Sequence, residues 1–389
     1  MRSKRFLAVA AAAVAVTLGM TACSSDSSET ADGGSAGSGS SSFPVTIEHA
    51  FGTTTIDAKP ERVATVAWAN HEVPLALGVV PVGMAAATFG DDNGNGMLPW
   101  VEEKLDDLGA KPPVLFDETD GIDFEAVSDT NPDVILAAYS GLTQEDYDTL
   151  SEIAPVVAYP EGPWATSWRD VIKFNSMGLG MESEGQELIS TIEKEIADEV
   201  AAHPQLAGKV TMFLTHVDTA DLSQVSFYTA NDTRAAFFED LGLSTPKSVA
   251  DASTGGEFSK KVSAERVDVF DDVELIVTYG DQALVDALKA DPLLSQMPAV
   301  ANNAIVFLNG TGPMGTAANP TPLAISWVLG DYVDLLAGAA GSRSDCNLAG
   351  FDVGRSRYAA PDVRQFAVAD RPSRCPRGAH VRLDRHRLS

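Results

Sequence analysis

The residues able to do chemistry in this chain are few and scattered. Six histidines occur in 389 residues. Of these, His49, His71, His203 and His216 lie in the main body and share no spacing that could close around a metal ion. None stands in a recognisable pairing with a nucleophile and an orienting acid, so hydrolysis has no visible machinery. Gly33-Gly34-Ser35-Ala36-Gly37 has the G-x-S-x-G form of a nucleophile elbow but lacks the flanking strand and helix that strain the serine into place. Gly310–Gly315 has the form G-x-G-x-x-G, yet Pro313 interrupts it and no βαβ unit follows, which argues against dinucleotide binding. Recognition is the chemistry left. Trp68, Trp100, Tyr139, Trp164 and Trp168 in the first half, and Phe227, Tyr228 and Phe258 in the second, stand near the ends of expected strands and helices. Aromatic walls of that kind suit a bulky ligand with apolar and amide faces. Arg169 and Arg234 are the cations best placed beside them.

Charge narrows the partners. The net charge is −28, with 27 Lys and Arg against 55 Asp and Glu. Such a body repels phosphate backbones and anionic headgroups, so nucleic acid is not an expected partner. Three cysteines cannot form a disulfide scaffold.

Both ends differ from the middle. Residues 1–22 have a basic start and an Ala/Val/Leu run, the pattern of a secretory signal too short for a permanent span. Leu18–Cys23 resembles a bacterial lipobox, making Cys23 the expected site of lipidation and the anchor to the outer face of the cell membrane. Residues 23–42 are mostly Ser, Gly, Thr, Ala and Asp, a flexible tether. Residues 341–389 hold ten arginines and no lysine, whereas the preceding chain favours lysine. That switch points to an out-of-frame extension with no fold of its own, the alternative being a basic arm for an acidic partner.

Between the ends, short apolar strands alternate with amphipathic helices, the pattern of parallel sheets covered on both faces. A hairpin around Phe51-Gly52 opens the series. Two α/β lobes are expected, 43–181 and 208–340. The segment 182–207 joins them, with Leu188, Ile192, Ile196 and Val200 recurring every four residues on a single long helix. About 20 residues at 1.5 Å each give a rod of roughly 30 Å. A ligand cleft between lobes that cannot swing widely follows.

A family resemblance emerges from the order of short motifs. They are Ala58–Val63, Pro74–Met84, Asp123–Ala137 and Tyr147–Val157 in the first lobe, then Phe227–Leu243, Val262–Asp268 and Asp291–Leu308 in the second. Together they resemble the substrate-binding lipoproteins of iron-siderophore and vitamin B12 ABC importers. The resemblance implies two Rossmann-like lobes on one backbone helix, capture of a ferric siderophore, and delivery to a permease with ATPase subunits. It implies a monomer that catalyses nothing and holds iron only within its ligand, with no intrinsic cofactor. It also implies that Glu125 and Glu265, one on each lobe, dock on permease arginines. Relatives that bind anionic catecholates look richer in cleft arginines than this chain, which favours a hydroxamate-type chelate. Heme and cobalamin carriers share the fold and remain alternatives, as does, remotely, a secreted hydrolase. Sequencing of the locus is expected to reveal a frame change near Gly341; a clean in-frame codon pattern through Ser389 would contradict it.

Overall fold

The computed structural model describes residues 43–341. The expected signal, the tether with Cys23 and the tail beyond Gly341 lie outside the described residues.

The first lobe opens with an antiparallel hairpin of β1 (Val45–His49) and β2 (Gly52–Ile56), which buries Ile47 and Ile56. Five parallel strands follow: β3 (Val63–Thr65), β4 (Gly83–Ala85), β5 (Val114–Phe116), β6 (Val134–Ala137) and β7 (Val156–Ala158), in the spatial order β5-β4-β3-β6-β7. β6 and β7 are apolar throughout and wholly buried, as strands covered on both faces must be. The strand order reverses between β3 and β6. In an open parallel sheet, that switch leaves a crevice at the carboxyl ends of the two strands.

The second lobe has a three-stranded parallel sheet. Its strands are β8 (Thr211–Phe213), β11 (Leu275–Tyr279) and β12 (Ile305–Leu308), in the order β12-β11-β8. An antiparallel pair, β9 (Gln224–Tyr228) with β10 (Ser259–Ser263), joins that sheet through a bridge between Leu214 and Phe227. Alternation along β9 decides two of the expected ligand contacts. Val225 and Phe227 face the core, where Phe227 is fully buried edge-on against Phe270. Phe227 is therefore a packing residue rather than a cleft contact. Tyr228, one residue on, faces the other way.

The helix Glu182–Ala202 connects the lobes as expected, burying Ile189, Ile192 and Ile196. A second brace was not anticipated in that role. The helix Pro322–Ala340 is long and apolar enough to cross a membrane. Here its apolar face lies in a core shared by both lobes, through Ile325, Val328, Leu329, Tyr332 and Leu336.

That shared core takes up two expected ligand contacts, Trp100 and Trp168, and an ion-pair network engages a third, Arg169. Trp100 sits in the first turn of the helix Pro99–Asp107, pointing inward against Trp327 at 5.2 Å, and its indole Nε1 donates to Glu72 Oε1 at 2.7 Å. Trp168 opens the helix Trp168–Gly178 and donates to Asp240 Oδ2 at 3.0 Å. Arg169 lies over the Trp168 ring at 4.2 Å and pairs with Asp240 at 2.8 Å and Glu193 at 2.7 Å. It thus ties both lobes to the connecting helix. These three side chains hold the lobes together.

Glu72 is the keystone of that contact. It is fully buried, and Leu323 N–H of the opposite lobe donates to its Oε2 at 2.8 Å. Burial raises its pKa against the pull of those hydrogen bonds. Glu72→Ala strands the Trp100 and Leu323 donors in an apolar interface and is expected to cost about 2–4 kcal/mol. Urea unfolding checks this; an unchanged midpoint would show that the lobes do not depend on it.

Candidate ligand cleft

A cavity of about 350 Å³ opens at the carboxyl ends of β3 and β4. Trp68, Met84, Leu98, Glu118, Ile122 and Trp164 are among the residues that line it. The chain leaving β3 is held in an unusual shape, with Ala67 at φ 59° and Ala69 at φ 62° on either side of Trp68. Side chains other than glycine rarely adopt that region without surrounding structure to enforce it. Two contacts enforce it here. Ala67 N–H donates to Glu118 Oε2 at 2.9 Å. The buried Asn70 amide bonds the Val66 and Tyr139 carbonyls at 2.8 and 2.9 Å, and its Oδ1 accepts from Tyr139 N–H at 3.0 Å. Asn70 thereby stitches the loop after β3 to the loop after β6.

Tyr139 and Trp164 form the next stretch of wall, meeting edge to face at 5.5 Å. Trp164 is about half exposed, at φ 58°, and rests over Gly141; a side-chain carbon there would fall 2.3 Å from the indole Nε1. Only glycine leaves room for the ring in that pose.

Tyr139 also reaches the second lobe, its hydroxyl 3.5 Å from Thr233 Oγ1. Beside Thr233, Arg234 lies over the Tyr228 ring at 3.9 Å, donates to Tyr279 Oη at 3.4 Å and pairs with Asp232 at 2.6 Å. His216 stacks on Tyr279 at 4.7 Å. Phe258, exposed at 63%, precedes Ser259, the register partner of Tyr228. Of the sequence-predicted contacts, Trp68, Tyr139, Trp164, Tyr228 and Arg234 are thus drawn together around the junction of the lobes. Phe258 stands at the rim of the second.

Electrostatics give the two sides different characters. Burial works against the Arg234 charge, but Asp232 outweighs it and raises the guanidinium pKa further. The pair is close to neutral as a unit. Burial pushes the Tyr228 hydroxyl up to about 12, with Arg234 pulling it back. On the first-lobe side, burial lifts Glu118 to about 7, opposed by the Ala67 N–H and aided by Asp123. Burial lowers His71 to about 4, so it is neutral at neutral pH. Glu118 Oε1 and His71 Nδ1 have no hydrogen-bond partner among the described residues. Glu118 and Asn70 escaped the sequence reading, and His71 entered it only as a histidine without metal-ligand spacing, because each is a lone polar residue outside any motif. Among the described residues, no three His, Cys, Asp or Glu side chains converge to hold a metal.

Glu125 and Glu265 are both exposed, each in the first turn of a short helix. Asp123 caps the first helix and Ser263 the second.

Two α/β lobes, a cavity in the first lined by Trp68 and Trp164, and a cluster of Tyr139, Tyr228 and Arg234 where the lobes meet are the features on which binding can be argued. The chain belongs to the periplasmic binding protein family, whose model matches residues 63–310. Its structure is similar to that of PiaA from Streptococcus pneumoniae TIGR4 in complex with ferrichrome. The TM-score is 0.73 and the identity 46%, covering 77% of this chain and 99% of that one. It is 26% identical to the ferric enterobactin-binding periplasmic protein FepB of Escherichia coli O6:H1, over 68% of this chain and 84% of FepB. It is also 31% identical to the probable siderophore-binding lipoprotein YfiY of Bacillus subtilis, over 41% of this chain and 46% of that relative's length.

The pKa of Glu118 carries a testable sign. Its folded value lies above the ordinary carboxylate value of 4.5, so its contribution is fully present below pH 4.5 and is lost as pH rises through about 7. Unliganded protein is expected to lose roughly 2–3 kcal/mol from this group across that window. Glu118→Gln should flatten that part of the pH–stability curve; an unchanged curve would contradict the assignment.

Proposed function

We propose that this protein captures a ferric siderophore of hydroxamate type outside the cytoplasmic membrane and delivers it to an ABC permease. The observation that carries this reading is the charge balance of the cleft. Arg234, on the second-lobe side of the junction, is already paired with Asp232, and the cavity of the first lobe bears the half-buried Glu118. A strongly anionic ferric catecholate would meet no uncompensated positive charge there, in a body that is itself acidic. A neutral or cationic chelate with amide and apolar faces suits Trp68, Tyr139, Trp164 and Tyr228. The similarity to ferrichrome-bound PiaA supports the same choice.

In this reading Cys23 carries the lipid that tethers the protein near its permease, raising effective concentration without new contacts. Glu125 and Glu265 meet permease cations, one from each lobe. The cleft binds and releases its ligand, and no covalent step is needed.

Tryptophan fluorescence titrated with ferrichrome, ferrioxamine, ferric enterobactin, heme and cobalamin tests the ligand class. Saturable quenching by a ferric hydroxamate alone is the expected result; a heme Soret band or quenching only by enterobactin would overturn it. Trp164→Ala should weaken binding about tenfold or more, since it removes a half-exposed aromatic wall without opening the core. Replacing Glu125 and Glu265 together with Ala should abolish uptake while leaving affinity unchanged; normal uptake would end the docking assignment.

A further inference from the structure

The loop that forms one wall of the cleft contains a second pattern. Residues Asp91 to Glu102 read D-D-N-G-N-G-M-L-P-W-V-E. Oxygen-bearing side chains stand at positions one, three, five and twelve, and glycine at position six. A calcium loop spaces its ligands in this way, adding a backbone carbonyl from position seven and a carboxylate at position twelve that can grip with both oxygens. The spacing is specific, and half of its side-chain donors are neutral amides, so this is not merely an acidic run.

The fold supplies an independent observation. Position twelve lies on a helix, Pro99–Asp107, and that helix turns Glu102 back over the loop it has left. Asn93 Nδ2 donates to Glu102 Oε2 at 3.0 Å, and Asn95 Nδ2 donates to Glu102 Oε1. At the other end, Asp91 Oδ1 accepts from the N–H of Asn93 at 3.1 Å and of Gly94 at 2.8 Å, while its Oδ2 accepts from Gly96 N–H at 2.6 Å. Gly96, at position six, has φ 81°, the turn a side chain would resist. No salt bridge to Lys or Arg is formed by Asp91 or Glu102 among the described residues. Asp91 is thus met by backbone N–H groups and Glu102 by the two side-chain amides, with only N–H donors to offset either charge.

We propose that the loop Asp91–Glu102 is a calcium site, with Asp91, Asn93, Asn95, Glu102 and the Met97 carbonyl as its protein ligands. A divalent cation would replace the two amide–carboxylate bonds and satisfy both carboxylates. Calcium suits the site better than magnesium, because a flexible loop of mixed oxygens tolerates irregular coordination, whereas magnesium demands a tight octahedron and keeps its water. Two carboxylates give a weak site, with a Kd of about 10⁻⁴–10⁻³ M, the range of extracellular calcium modules. The consequence reaches the cleft. Gly96, Met97 and Leu98 line the cavity, and Ala87 N–H bonds the Gly96 carbonyl at 2.8 Å. Calcium would therefore fix the wall against which the ligand rests.

Isothermal titration of the EDTA-treated protein with calcium chloride tests this without any siderophore, so its outcome is separate from the ligand reading. One saturable site is expected, with magnesium at least tenfold weaker. The melting temperature should rise by about 2 °C at ten times the Kd. Glu102→Gln should weaken calcium binding tenfold or more, whereas Asp92→Asn, which removes a charge from the same loop outside the donor set, should change it less than twofold. Absence of a saturable calcium signal up to about 10 mM, well above the weakest such sites, would overturn the proposal. So would equal losses in the two variants, which would reveal only general attraction to an acidic surface.

Discussion

The lobes of this protein meet across a buried carboxylate, and much else follows from that contact. Glu72 lies in an apolar interface where an isolated charge would be untenable. Trp100 from its own lobe and the Leu323 backbone from the other satisfy its two oxygens. A carboxylate bonded on both sides admits little sliding, because any displacement leaves a buried polar group unpaired. Around it runs one apolar core, from Val73 through Trp100 and Ile192 to Tyr332 and Leu336. The two long helices pack into the same core. The junction of the lobes is therefore fixed by the fold itself, and a ligand held there as proposed would meet a low ordering cost.

Preorganisation extends to the cleft walls. The loop after β3 is held in a left-handed shape by Glu118 and Asn70, two polar residues that also border or brace the cavity. Trp164 depends on the missing side chain of Gly141. Arg234 is fixed by Asp232 below the face it shares with Tyr228 and Tyr279. Such a site offers shape, aromatic surface and a few polar groups rather than a field of charge. In the proposed function, the charge pattern is what separates ligands that aromatic shape alone would not.

Much of the fold was legible in periodicity. The hairpin, the parallel strands β6 and β7 and the long connecting helix stand where their apolar spacing places them. The pairing of β9 with β10 was hidden, since about thirty residues separate two half-polar segments and nothing local announces their register. The aromatic residues show where sequence reasoning stops. Trp68 and Trp164 leave strands and loops and reach the cleft, whereas Trp100 and Trp168 occupy first turns of helices whose inner faces pack on the interface. Composition is the same in both cases. Only the direction of the following helix distinguishes them. Phe227 and Tyr228 make the same point within one strand, where adjacent side chains face opposite sides.

The proposed function places a ferric chelate between the Trp68–Trp164 wall and Arg234. Anomalous diffraction at the iron edge, from crystals grown with ferrichrome, tests that claim most directly. A single iron peak in the crevice between Trp68, Tyr139 and Arg234 is the predicted result. A peak outside that crevice, with the crevice empty, would contradict it.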